Sequence, residues 1–413
     1  MKRKLWEAMK TALIVLLTAT FLLLTLMALP ANIAEKLPLP NFLATFIGLE
    51  QEIQFRPAAE NASSAGAVPI LISVKNSAGR ASIRQDDTAL ALAYDRFGDF
   101  LTEAFSTAEA PTQGADIASV LAKEGVLFSF AGKIPAEALG HWLGAQESQV
   151  EGVFGQYALV VENDFVALYA ISGGRTVRHA TAVSGEDFSA RLQEYFPDGT
   201  RFAFEAGVTS VSPLTLWLDE VSLANYTAVS PLTADLTEDL ATELNFNPYG
   251  SGFYLDPATG DRVYTEQDRN LTIHAGGSLL LTAKAGALSD FAAAGISPVE
   301  KIAAAEELIF SLCHTASMEN PMVCGYEENG NMTTVSFCTI LGGVPVYPHC
   351  GKVVFEDTEV VQLQATFRLY HKTGGFNTLM PIHNAAALAG DGAHIISAYQ
   401  QTASSLVAGW QKQ

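Results

Sequence analysis

Basic residues are scarce. The 413 residues include 24 Lys and Arg against 44 Asp and Glu, for a net charge of −20. Lys2, Arg3, Lys4 and Lys10 with Glu7 give residues 1–10 a charge of +3, so the remainder carries −23. So acidic an exterior argues against nucleic acid or anionic lipid headgroups as partners. Cysteine is absent until residue 313, and then four occur close together: Cys313, Cys324, Cys338 and Cys350. No two of them stand as C-x2-C, the close pair that a structural zinc site uses. The usual catalytic signatures are also missing. There is no G-x-S-x-G elbow, no H-E-x-x-H, no P-loop and no G-x-G-x-x-G after a strand. Eight histidines run from His141 to His394 without ligand spacing. The acid pairs Asp86-Asp87, Glu186-Asp187 and Glu356-Asp357 flank predicted elements and read as caps and turns. "DPATGD" (Asp256–Asp261) lacks the alternating ligands and distal Glu of a calcium loop, and reads as a hairpin turn. The sequence therefore offers no catalytic group, no metal ligand set and no cofactor.

One stretch is long where the rest is ordinary. "TALIVLLTATFLLLTLMALP" (Thr11–Pro30) contains no charge. Its length is about that needed to cross a bilayer as one helix. A cleavable signal has a shorter core and a small-x-small site. Here Leu29 occupies the third position before a cut after Ala31, so an uncleaved anchor is expected. The bases on its amino side place that end in the cytoplasm. Residues 1–10 then form a cytoplasmic tail, 11–30 the membrane helix and 31–66 a juxtamembrane stalk. Two extracytoplasmic regions follow, at 67–230 and 231–413. Outside the cell membrane an even number of cysteines implies two disulfides, with three connectivities open.

The remainder alternates short strands and helices. "PILISV" (Pro69–Val74) predicts a strand, and "NSAGR" (Asn76–Arg80) a turn. Asp86 or Asp87 then caps a helix whose Leu90, Tyr94, Phe97, Leu101 and Phe105 form one apolar stripe. "GVLFSFAGKIP" (Gly125–Pro135) predicts a strand with an exit turn. Breaks at Asn163-Asp164 and Gly173-Gly174 predict a three-stranded antiparallel meander. "GEDFSARLQEYF" (Gly185–Phe196) predicts a capped helix. "PLTADLTEDLATELNF" (Pro231–Phe246) begins a new unit, whose helix ends near Asn245. Pro298 sits in the first turn of a long helix to His314. The segments around it, up to about residue 370, are strand-rich. Strands and helices mixed with antiparallel pairing give an α+β class.

"LNFNPYGSGFYLDPATGDRVYTEQDRNLTIHAGGSLLL" resembles a segment of the YycH/YycI proteins of Gram-positive bacteria. The matching positions are Phe246-Asn247-Pro248, Tyr264-Thr265-Glu266, and Leu271-Thr272-Ile273 with Gly277 and Leu279. "VSFCTILGGVPV" (Val335–Val346) and "LMPIHNAAALA" (Leu379–Ala389) resemble later elements of that family, and the single anchor fits it. The four cysteines depart from its pattern. The resemblance implies a non-enzymatic accessory protein that associates with a sensor histidine kinase of the WalK type. A second YycH/YycI-like protein is a further implied partner, and the pathway governs the cell wall. On this reading the anchor is a working part, and Thr11, Leu16, Thr18, Thr20 and Leu29 are its candidate contact residues. An anchored ligand-sensing ectodomain and a cell-envelope enzyme are the competing expectations.

Overall fold

The computed structural model describes residues 66, 68–145, 148–402 and 404–413. The run holding Thr11, Leu16, Thr18, Thr20 and Leu29 lies outside the described residues, as does the stalk up to residue 65. Among the described residues no helix is long and apolar enough to cross a membrane. The architecture is α+β, with helices packed on mostly antiparallel sheets.

The chain opens with the hairpin β1 (Pro69–Asn76) and β2 (Gly79–Arg84). Helix α1 (Asp87–Ser106) is capped by Asp86, whose carboxylate accepts the Ala89 N–H. On its predicted stripe Leu90, Phe97, Leu101 and Phe105 are buried and Tyr94 is half-buried. Next come β3 (Thr112–Gln113), α2 (Ile117–Leu121), β4 (Gly125–Pro135) and α3 (Ala136–Trp142). The meander is β5 (Val153–Glu162), β6 (Phe165–Ser172) and β7 (Arg175–Ser184). At its turns Asn163 and Gly173 have φ of 58° and 55°, a left-handed conformation that these residue types tolerate. Helix α4 (Gly185–Leu192) ends short of Phe196. Pro197 follows directly and disfavours helical backbone at Phe196, which is left exposed.

These strands form a seven-stranded sheet in the order β2-β1-β4-β5-β6-β7-β3. One face, with Phe128, Tyr157, Leu159 and Leu168, is buried against Phe97 and Phe105 of α1 and Phe188 of α4. The other face, with Leu127, Val160, Tyr169 and Ile171, is buried as well. Strands covered on both sides read as continuous apolar runs, which is why β5 and β6 show little alternation.

The chain continues through β8 (Arg201–Phe202), β9 (Leu216–Trp217), β10 (Ser222–Val229) and α5 (Ala234–Glu243). Four strands follow: β11 (Phe253–Leu255), β12 (Arg262–Glu266), β13 (Arg269–His274) and β14 (Ser278–Ala283). Helix α6 (Pro298–Thr315) starts with a reciprocal capping box between Ser297 and Glu300. After it come β15 (Met322–Asn329), β16 (Met332–Cys338), β17 (Ile340–Leu341), β18 (Val344–Tyr347) and β19 (Gly351–Glu356). The chain closes with β20 (Glu359–Thr366), β21 (Leu369–Thr378), α7 (Ile382–Ala389), β22 (Ile395–Gln401) and β23 (Leu406–Lys412). The second sheet has eight strands in the order β11-β12-β13-β14-β20-β19-β16-β15. Its buried face packs Leu271, Ile273, Leu281 and Leu363 into the same core as Leu240 of α5 and Ile302, Leu308 and Leu312 of α6. Asn270 and Thr272 alternate with these to the other side.

Residue 230 does not divide two independent bodies. β10 pairs antiparallel with β21, and β17, β18, β22 and β23 form a four-stranded sheet. That sheet places Val346, Tyr399 and Leu406 in one cluster with Tyr169 of the first sheet. All the described residues belong to one compact unit.

The two large sheets meet where β4 leaves its own ladder. Pairing with β5 shifts register between Ser129 and Ile134. In that step Gly132 lies against the backbone of β15, where a Cβ would overlap the Cys324 carbonyl oxygen. The Ala131 carbonyl accepts the Tyr347 hydroxyl at 3.3 Å and the Gln413 side-chain amide at 2.7 Å. Gly132→Ala is therefore expected to lower stability by about 1–3 kcal/mol through overpacking. Gly98, inside α1, is the control, because a Cβ there would meet nothing within 4 Å. Gly98→Ala should raise stability by about 0.5–1 kcal/mol, since alanine orders more readily in a helix. Urea unfolding of both variants checks the pair.

Candidate functional site

The four cysteines come to one end of the second sheet but not to one point. Cys313 is on α6, Cys324 on β15, Cys338 at the end of β16, and Cys350 just before β19. The expected disulfides are not formed, and all four thiols are free. Cys324 and Cys338 are neighbours across β15 and β16. Cys338 stands opposite Met322, and Cys324 falls in a bulge of β15 between Val323 and Gly325. The bulge takes the two residues out of direct cross-strand register, and no bridge joins their neighbouring thiols. Cys324 and Cys338 instead pack with Ile70 and Ala131 as small apolar groups. Cys313 and Cys350 line a cavity of about 20 Å³ beside Met318 and Phe367. Burial pushes the Cys313 thiol up to about 11 and the Cys350 thiol up to about 12. Burial also raises Cys324, and the neighbouring Cys338 adds to the rise. Thiols held in this way are poor nucleophiles and poor metal ligands. Among the described residues no three His, Cys, Asp or Glu side chains are grouped to hold a metal.

The large apolar residues among those that carry the family resemblance serve the core, whereas Asn247 and Thr265 are exposed. Phe246, Tyr264, Leu271, Ile273 and Leu279 are all buried in the core cluster that also holds residues of α5 and α6. The Arg269 guanidinium lies 4.5 Å from the Phe246 ring centroid, donates to the Asn245 carbonyl and pairs with Glu266. In the "DPATGD" turn the oxygens are already engaged. Asp256 accepts the Ala258 N–H, and Asp261 accepts from Ala275 N–H and faces His274 Nδ1 at 2.9 Å.

A chemically unsettled place is the contact between α3 and α6, which the sequence did not single out. β4 runs directly into α3, and α3 packs on α6. Ala138, His141 and Trp142 of α3 enclose a cavity of about 50 Å³ with Val299, Ile302 and Glu306 of α6. Glu306 is 8% exposed, and its Oε1 is fully enclosed with no hydrogen-bond partner. Desolvation pushes its carboxyl up to about 7. Lys301, one turn earlier, is also buried and donates to the Thr333 hydroxyl at 2.7 Å. Trp142 borders the start of the described chain, since a Cβ on Gly66 would meet the indole Cδ2 at 2.9 Å. A sequence signal for Glu306 does exist. It lies four residues after Ile302 and three before Ile309, inside the apolar stripe of α6.

The chain matches no family model, no curated protein and no solved structure.

Two outcomes follow from this geometry. Alkylation in denaturant without reductant is expected to label all four cysteines, whereas disulfides would protect them in pairs. Glu306 carries a pH dependence. Between about pH 4.5 and 7 the unfolded chain releases this proton while the folded chain keeps it. Stability contributed at this position therefore falls as pH rises through that window, and is level above it. Relative to the wild type, Glu306→Gln should gain up to about 3 kcal/mol between the two ends of the window. Urea midpoints measured across the pH range check the difference.

Proposed function

We propose that this chain is a membrane-anchored, non-enzymatic, extracytoplasmic regulator of a sensor histidine kinase of the WalK type, acting in cell-wall homeostasis. The observation that carries the reading is a charge-free run, Thr11–Pro30, ahead of a large antiparallel α+β body. The likeness of residues 244–281 to YycH/YycI proteins supports it, as does the basic amino-terminal flank. The cavities of about 20 and 50 Å³ are small beside the roughly 300–1,000 Å³ of ordinary ligand pockets. Contact with partner surfaces is the activity that such a body supports best.

Control of a kinase requires that the anchor bind its two states with different affinity. Thr18 and Thr20 would sit at the helix–helix contact, where small polar side chains let backbones approach. A second YycH/YycI-like chain would share the assembly. A ligand-sensing ectodomain is the second reading, and the unpartnered Glu306 beside its cavity favours it.

The test is crosslinking and capture from native membranes, with a tag on Gln413. Residues 11–29 are replaced by an unrelated membrane helix in the control chain. The native chain is expected to capture a sensor kinase and the control to lose it. Capture by both would assign the contact to the ectodomain, and capture by neither would overturn the kinase reading.

A further inference from the structure

Two observations coincide at the contact of α3 and α6. A carboxyl that is more than nine-tenths buried has an oxygen without a partner, and it lines a cavity. Natural proteins rarely leave such a group unsatisfied, because its desolvation is not offset. We propose that this cavity is a binding site for a small primary ammonium ion, paired with the Glu306 carboxylate. The proposal goes beyond the kinase reading and does not rest on it.

The lining decides the class of ligand. An anion would meet a carboxylate in a poorly hydrated site and be repelled. A divalent cation needs about six oxygen ligands, and Glu306 is the one carboxylate in the lining. A neutral alcohol would leave the carboxylate charge uncompensated. A primary ammonium brings a full opposite charge and three N–H donors on one compact atom. Its alkyl stub would lie on Ala138, Val299 and Ile302, which are apolar. The Trp142 indole in the same lining offers an electron-rich surface that attracts cations. His141, exposed at the rim, is the other titratable side chain of the lining, and as neutral imidazole it can accept a hydrogen bond.

Size sets the upper limit. A water molecule needs roughly 10–15 Å³ of such space, so about 50 Å³ admits only a few non-hydrogen atoms. Methylammonium fits that limit, and tetramethylammonium exceeds it.

The experiment is a calorimetric titration of the full chain in detergent with methylammonium chloride, against sodium chloride at equal ionic strength. Saturable binding is expected. It should weaken about tenfold per pH unit below about 7 and level off above, because the carboxylate must be ionised to pair. Tetramethylammonium should not compete. Glu306→Gln should weaken binding at least tenfold. Ala303→Phe, at an exposed position beside the cavity, should block it while leaving the carboxylate in place. Circular dichroism confirms that both variants are folded. Equal binding by the wild type and Glu306→Gln would overturn the proposal. So would equal binding of tetramethylammonium, or no saturable heat from methylammonium above pH 7.

Discussion

The structure hinges on the close approach of β4 to β15. At Gly132 the backbone of one sheet lies against the Cys324 carbonyl of the other, with no room for a side chain between them. This is made possible by the step in β4 between Ser129 and Ile134, which releases those residues from β5. A bulge of this kind leaves backbone groups unpaired and must be compensated. Tyr347 and Gln413 supply partners for the Ala131 carbonyl from β18 and from the last residue of the chain. Because β4 leads straight into α3, the same step also delivers α3 onto α6. Sheet contact, helix contact and carboxy-terminal closure are thus consequences of one strand leaving its ladder.

The charged groups on either side of this joint are treated differently. Burial acts upward on every carboxyl, and local donors decide the outcome. For Glu162, burial is outweighed by hydrogen bonds from Lys123, Tyr169 and Arg178, which hold it down to about 2. For Glu205, burial is outweighed by Arg80, which grips it with Nε and Nη2, each at 2.9 Å. Arg80 is completed by the Leu121 carbonyl at 2.6 Å and by the Phe202 ring at 4.5 Å. Glu306 has burial and no donor, so it rises. The α3–α6 contact therefore holds a carboxyl that no donor compensates, whereas Glu162 and Glu205 of the first half are compensated. An unpartnered carboxyl persisting in the packed contact of two helices is a place where ligand and protein stability are coupled.

Much of the local structure was legible in the chain. The stripe from Leu90 to Phe105 and the Asp86 cap specify α1, because side chains on one helix face recur every three to four residues. Asn163 and Gly173-Gly174 specify the meander turns, because few residues accept positive φ. Ser297, Pro298 and Glu300 mark the start of α6 through the reciprocal cap. The end of α4 was less legible, since a propensity that extends to Phe196 is overruled by Pro197 and by the absence of a surface for Phe196 to cover. The free thiols depart from the two disulfides expected of the sequence. Cysteine spacing along the chain says nothing of strand register, and the bulge at Cys324 is a property of the β15–β16 pairing.

The sequence by itself determined the α+β class, the helix stripes, the caps, the meander and the acidic surface, since each depends on residues within a few positions of one another or on composition alone. Tertiary structure decided the rest. It paired β10 with β21 and laid β22 and β23 against the first sheet. It left four thiols unbridged and placed Glu306 between two helices that lie far apart in the chain. These outcomes depend on what faces a residue across space, and whether a buried carboxyl or thiol meets a donor, a partner sulfur or an apolar wall is set only when the distant elements pack.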